Sequence, residues 1–160
     1  MTVQRFWGQR RRWLHASSLA EEETLKLPDP LKLKKFTVYW LPVLVYCLLI
    51  FIQSSFPSPV KELDIAHFDK YLHLLGYGLL GVLFSRAYHG SSLWPDGKLW
   101  HLAFVSILSA GLYGISDEIH QYFVLGRSAD ALDAAADFIG AALGAFFFLA
   151  FFVKRTLRWP

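Results

Sequence analysis

The sequence predicts an all-α integral membrane protein with four transmembrane helices in one bundle. Hydrophobic residues make up 54% of the 160 residues, and the mean hydropathy of +0.34 is higher than a soluble domain of this size needs. The apolar residues are also collected into four blocks that are separated by short polar stretches. This excess and its uneven distribution indicate that the chain is surrounded by lipid.

The four blocks differ in length. Phe36–Ile52 is an uncharged run of 17 residues, about the shortest that crosses roughly 30 Å of hydrocarbon as a helix. Pro42 costs little if this helix begins there, and it kinks the helix if the helix begins earlier. The third block, Leu99–Ser116, reaches 18 residues, whereas Tyr71–Ser85 and Phe138–Val153 are shorter. Complete spans for the second and fourth helices therefore need flanking residues, which include acids.

Basic residues predict the orientation and the domain boundaries. Thirteen of the sixteen Lys and Arg residues lie in residues 1–36, in the loop from Arg86 to Lys98, or in residues 154–160. By the positive-inside rule, both termini and that loop are expected in the cytoplasm. We expect a basic N-terminal segment 1–36, partly disordered or on the membrane surface, a four-helix domain 37–153 and a basic tail 154–160. The acid-rich ends of the last three helices would then face outward.

The composition also argues against several other classes of protein and of functional site. Cys47 is the single cysteine, so neither a disulfide framework nor a thiolate metal site is expected. The basic and aromatic residues from Trp7 to Trp13 suit an anionic lipid surface better than nucleic acid, because they precede a membrane segment. The first apolar block begins only at Phe36, so the N-terminus does not have the form of a secretory signal.

Polar residues recur at helical spacing near the outer ends of the last three helices. Residues three or four apart share a helix face, and ionisable groups near membrane depth are costly enough to be rare without a reason. Carboxylates held close together cannot all ionise without cost, so at least one is expected to be protonated, paired with a basic residue or bound to a cation. The predicted functional cluster consists of Asp69, Lys70, His73, Tyr77, Asp117, Glu118, Gln121, Arg127, Asp133 and Asp137. Close helix packing is predicted at Gly76, Gly81, Gly140 and Gly144.

Simpler structural roles compete with function for several of these residues. His73 could make a hydrogen bond that packs two helices together, and Asp133 could be a helix N-cap. Asp117 and Glu118 could be solvated at the membrane interface. The coincidence of all these groups on one side favours a functional site.

Several motifs follow one another along the chain: Gln53-Ser54-Ser55, the segment from Phe68 to Gly81, the segment from Gly114 to Ser128, Asp133, and the segment from Asp137 to Gly144. Together and in this order they resemble the VanZ-like family. Two features depart from the family pattern: Val124 and Leu125 stand where a proline is common before Gly-Arg, and Asp137 stands where asparagine is common.

The resemblance covers roughly residues 37 to 153 and implies a bacterial plasma-membrane protein of the cell envelope. The family is named for a protein associated with low-level teicoplanin resistance. The resemblance implies no particular chemical activity.

The first functional hypothesis is an envelope factor that binds a lipid-linked cell-wall precursor or a lipoglycopeptide at an outward polar pocket. Arg127 and Lys70 would hold phosphate or carboxylate, while the acids and Gln121 would hold amines or hydroxyls.

Two alternatives stay open. One is a membrane-embedded hydrolase or transferase in which the acids bind magnesium or manganese and His73 or Glu118 is the general base. The other is a structural or assembly subunit of a membrane complex. The sequence contains no HExxH motif and no nucleophile beside His73, so it favours a role without catalysis and predicts no cofactor.

Overall fold

The computed structural model describes residues 29–57, 68–91 and 98–153, and these residues are almost entirely helical. Helix α1 covers Pro30–Ser54, α2 Phe68–Gly90, α3 Leu99–Tyr122 and α4 Ala131–Phe148, and α4 continues into a π-helical turn at Leu149–Val153. The described residues contain no strand. The predicted all-helical class is confirmed.

The number of membrane spans differs from the prediction. Three helices are long and apolar enough to cross a membrane, namely α1, α3, and α4 together with its π-helical turn. Helix α2 is not among them, because His73, Arg86 and several glycines reduce its apolarity. The prediction of four such spans is therefore wrong by one. Three apolar helices of this kind identify a membrane protein.

Most of the predicted terminal segments, residues 1–28 and 154–160, lie outside the described residues. Helix α1 begins at Pro30, six residues before the apolar block that predicted it. Its start has a local cause: Asp29 Oδ1 accepts a hydrogen bond of 2.9 Å from Leu31 N–H, and proline suits the first helical position. Pro42 therefore lies in the helix interior.

Arg86 compensates for the hydrogen bond that Pro42 removes. Proline has no N–H, so the carbonyl four residues earlier, that of Val38, loses its helical partner. The Nη1 of Arg86 donates to this oxygen over 3.1 Å, and its guanidinium lies 5.0 Å from the centre of the Tyr39 ring. A residue of α2 thus satisfies the backbone of α1 near the start of the apolar run.

Helices α2 and α4 pack together through small residues. A Cβ added at Gly140 would meet the backbone carbonyl of Leu74, and one added at Gly144 would meet that of Gly78. A Cβ at Gly81 would meet the backbone of Ala141. Backbones approach this closely only where side chains are small.

Gly76 differs from these glycines, since its nearest neighbour is the Tyr46 hydroxyl at 3.8 Å from an added Cβ. Its carbonyl accepts a hydrogen bond of 3.1 Å from that hydroxyl.

Helix α1 buries little of its own surface. Within it only Val43 and Ser54 are buried, and Leu44, Leu48 and Phe51 are among its exposed apolar side chains. A hydrogen bond from another helix adds to the limited packing of α1: Tyr113 Oη in α3 donates to the Cys47 carbonyl over 2.6 Å. Polar bonds to neighbouring helices therefore contribute to the position of α1.

Replacement of Arg86 by Met should reduce the free energy of unfolding by about 1–3 kcal/mol, because the Val38 carbonyl would then lack a partner. In a chain that already carries Pro42→Ala, the same change should cost less, since the backbone N–H restored at position 42 can bond to that carbonyl. The free energies of unfolding of the single and double variants, measured in mixed micelles, give the coupling between Arg86 and Pro42. Equal costs in both backgrounds would contradict this account of Arg86.

Candidate functional site

Four helix ends meet at one end of the bundle: α1 ends there, α2 begins, α3 ends and α4 begins. We call the polar residues of this region the polar cluster. It comprises Ser54, Asp69, Lys70, His73, Asp117, Glu118, Gln121, Asp130, Asp133 and Asp137.

Lys70 is the centre of an ionic group in this cluster. Its Nζ lies 2.8 Å from Asp130 Oδ2 and 2.9 Å from Asp133 Oδ1. Asp69 Oδ2 is 3.3 Å away, on a side chain that is 50% exposed. One ammonium thus joins the beginning of α2 to the beginning of α4. With three carboxylates around it, Lys70 is already engaged and is poorly placed to bind an anionic ligand.

Asp130, which the sequence reasoning missed, is the N-cap of α4. Its Oδ1 accepts a hydrogen bond of 2.9 Å from Leu132 N–H. The hydrogen bonds from Lys70 and from Leu132 N–H hold the pKa of this carboxyl below its ordinary value. The sequence suggested Asp133 for the cap, but Asp133 lies in the first turn and contacts Lys70. The sequence did contain a signal for this cap, because Asp130 is followed three residues later by a second acid, Asp133, a spacing typical of helix N-termini.

His73, Glu118 and Asp137 form a triad that draws one residue from each of α2, α3 and α4. His73 Nδ1 lies 2.9 Å from Asp137 Oδ1 and 4.0 Å from Glu118 Oε1. The other Glu118 oxygen, Oε2, accepts a hydrogen bond of 2.7 Å from Asp130 N–H. The beginning of α4 therefore holds Glu118 in a fixed orientation beside His73.

Asp137 fits between α3 and α4 because position 114 has no side chain. A Cβ added at Gly114 would lie 2.6 Å from Asp137 Oδ2, and Asp137 is fully buried. Any larger residue at position 114 would displace this carboxylate or separate the two helices.

A second polar network connects α3 with the end of α1. Gln121 Nε2 donates to Asp117 Oδ2 over 3.0 Å and lies 3.5 Å from Ser54 Oγ, all three residues being buried. The sequence placed Asp117 and Gln121 in the cluster because they are four residues apart. Ser54 belongs to another helix, so spacing along α3 could not find it.

His120 makes a further contact with α1 that the site prediction did not include. Its Nε2 lies 3.0 Å from Ser55 Oγ, and that hydroxyl donates to the Phe51 carbonyl over 2.7 Å. Since the hydroxyl proton is used in this way, His120 Nε2 is the donor in the contact between them.

Arg127 binds the backbone at the end of α1. Its Nε donates to the Phe56 carbonyl over 2.8 Å, and its Nη2 donates to the Gln53 carbonyl over 2.9 Å. It follows Gly126, whose φ of +83° suits glycine. The sequence suggested Arg127 as a partner for the carboxylates, but these two bonds satisfy helix-terminal carbonyls instead.

A cavity of about 330 Å³ lies between α1 and α2 at this end. Apolar side chains, Leu49, Ile50 and Leu72, form part of its wall. Its polar lining residues are Tyr46, Gln53, Asp69, His73, Tyr77, Asp117 and Arg127. The cavity therefore combines an apolar wall with polar groups, several of which belong to the cluster.

Comparison with known protein families identifies a profile that matches this chain. A profile described as VanZ/LLP1 matches residues 31–153, which is most of the chain and includes all of the four described helices except the first residue of α1. This confirms the resemblance found in the motifs. No curated protein and no solved structure matches the chain.

Replacement of Asp130 by Ala should destabilise the protein by about 1 kcal/mol at neutral pH through loss of the cap, and the lost Lys70 contact should add to this cost. Asn at this position should retain the cap and lose only the charge.

The advantage of wild type over Asp130→Asn should also depend on pH. Because folding lowers the pKa of Asp130, its ionic contribution is present above the unfolded-state pKa and is lost as the pH falls through the folded-state pKa. Unfolding curves of both proteins from neutral to acidic pH measure this difference. A constant difference over that range would contradict the assignment.

Proposed function

This chain belongs to the VanZ/LLP1 family, and we propose that it binds an amphiphile of the bacterial cell envelope in the cavity between α1 and α2. The ligand class is a lipid-linked cell-wall precursor or a lipoglycopeptide. The observation that carries this proposal is the cavity itself, in which an apolar wall stands beside polar side chains. No catalytic step is needed for such a role.

The apolar wall suits a hydrocarbon chain. Leu49 of α1 is 55% exposed and Leu72 of α2 is 44% exposed, and both line the cavity. These helices lie side by side, so a chain that enters from lipid can stay in apolar surroundings along these leucines. Binding pockets for such ligands typically combine apolar walls with a few polar groups that fix orientation.

The polar groups favour a head group that donates hydrogen bonds. Asp69 and Asp117 contribute carboxylates to the cavity, and carboxylate oxygens accept strongly from amines and hydroxyls. Lys70 is surrounded by three acids, and Arg127 donates to the carbonyls of Gln53 in α1 and of Phe56 just after it. The proposed ligand is therefore bound through amine or hydroxyl groups, as on an amino sugar, more than through phosphate.

We place the polar cluster on the outer side of the plasma membrane, with both termini in the cytoplasm. The support is the distribution of basic residues, since Lys34 and Lys35 stand at the opposite end of α1. Helix α2 runs antiparallel to α1, because Lys70 lies at the cluster and Gly90 meets the Tyr39 ring near the start of α1. By its own composition α2 is not one of the apolar spans, but it runs back along α1 with Gly78 and Gly81 packed against α4. This path is what allows both termini to lie on one side in the proposal.

Two substitutions test the proposal on purified protein in lipid nanodiscs. Leu49→Trp should block the apolar part of the cavity, and Asp117→Asn should remove one charged acceptor. Loss of one charge-assisted hydrogen bond is worth about 1.5–3 kcal/mol, or roughly 10–100-fold in affinity. Binding of teicoplanin and of a lipid-linked amino-sugar precursor is measured by thermal stabilisation or by microscale thermophoresis.

Asp29→Asn is the matched control, because it changes an acid to an amide at the opposite end of α1 and keeps an N-cap. It should bind both probes as the wild type does. Unchanged binding of both probes by Leu49→Trp would rule out the cavity. If Asp117→Asn lowers the amount of folded protein while Leu49→Trp binds normally, the structural or assembly role is favoured instead.

A further inference from the structure

We propose that His73, Glu118 and Asp137 bind one divalent transition-metal ion between α2, α3 and α4. Each residue offers one ligand atom, and the three atoms lie within 4.8 Å of one another. His73 Nδ1 is 2.9 Å from Asp137 Oδ1 and 4.0 Å from Glu118 Oε1. Ligand atoms at 2.0–2.2 Å from a tetrahedral ion are about 3.3–3.6 Å apart, and the two measured distances lie on either side of that range.

An unpartnered oxygen at the triad is the second, independent observation. Glu118 Oε1 is buried and has no hydrogen-bond partner among the described residues, and Glu118 as a whole is 6% exposed. Its Oε2 is fixed by Asp130 N–H, so Oε1 is held toward His73. Asp137 Oδ2 is also buried without a partner in the described part of the chain. Buried polar atoms are normally satisfied, and a cation between the three ligand atoms would satisfy Glu118 Oε1.

The local charge is consistent with a dication. Glu118 and Asp137 provide two carboxylates within the triad, whereas the nearby ammonium of Lys70 already contacts Asp69, Asp130 and Asp133. A doubly charged ion with a neutral imidazole would neutralise both triad carboxylates. A protonated His73 would neutralise only one.

The ligand types indicate which ions fit. One imidazole nitrogen and two carboxylate oxygens suit zinc or manganese, which accept mixed nitrogen and oxygen ligands. Asp130 N–H would orient Glu118 from the second coordination shell. His73 also lines the cavity, so this side of the site is open to a small ligand. The site does not depend on amphiphile binding and can be tested without it.

The test uses the full chain purified in nanodiscs and loaded separately with zinc and with manganese. After removal of unbound ion, the metal content per chain is measured by inductively coupled plasma mass spectrometry, and affinity by isothermal titration calorimetry. Wild type should retain one ion per chain. Glu118→Gln and Asp137→Asn should bind the ion at least about tenfold more weakly than wild type, because loss of even a supporting residue around a metal lowers its affinity by about that factor.

Asp69→Asn is the control, because Asp69 lies at the same end of the bundle but does not belong to the triad. This variant should retain the ion. Glu118→Gln keeps an oxygen that can accept from Asp130 N–H, so it should fold even if Asp137→Asn does not, and circular dichroism checks its helix content. Cobalt-loaded wild type should show visible absorption bands that Glu118→Gln lacks. No retained ion in wild type, or equal affinity in folded Glu118→Gln, would overturn the proposal and leave His73 and Asp137 as an ion pair.

Discussion

The ionic group around Lys70 is the interaction on which the polar end of this protein depends. Lys70 at the start of α2 contacts Asp130 and Asp133 at the start of α4, and the backbone N–H of Asp130 in turn holds Glu118 of α3. Three helices are therefore fixed to one another through a single ammonium and one helix N-terminus. In hydrocarbon an unpaired charge is costly, so the acids of this end can be tolerated only where such partners lie close.

Close helix packing makes these polar contacts possible. Gly140 and Gly144 let the backbone of α4 approach that of α2, which brings His73 within 2.9 Å of Asp137 on the same pair of helices. Helix α1 buries little surface and is held partly by two arginines. Arg86 satisfies the carbonyl freed by Pro42, and Arg127 satisfies carbonyls at the other end of the helix. Both arginines donate hydrogen bonds to backbone carbonyls that lipid tails cannot satisfy.

The acids of the cluster divide into groups with different surroundings. Asp130 and Asp133 share Lys70, and Asp117 is paired with Gln121. Glu118 and Asp137 each keep a buried oxygen that has no partner among the described residues. Asp69 and Asp117 face the cavity. This division is the basis of the two proposals: the carboxylates of Asp69 and Asp117 line open space that a head group can enter, whereas the triad keeps buried oxygens that an ion can bind.

The sequence alone determined the helical class, the family resemblance and most members of the cluster, since apolar length and three- and four-residue spacing are local properties. It overestimated the apolarity of α2, left open whether α1 begins at Pro42 or earlier, and gave Asp133 as a possible cap of α4. The cap of α4 by Asp130 is a contact two residues along the chain, and the spacing of Asp130 and Asp133 could have indicated it. Only the tertiary structure showed that Ser54 and His120 join the polar contacts, and that Arg127 binds carbonyls. The partners of Ser54, His120 and Arg127 lie 65 to 74 residues away along the chain, and helix spacing carries no information about which helices meet or how their faces align.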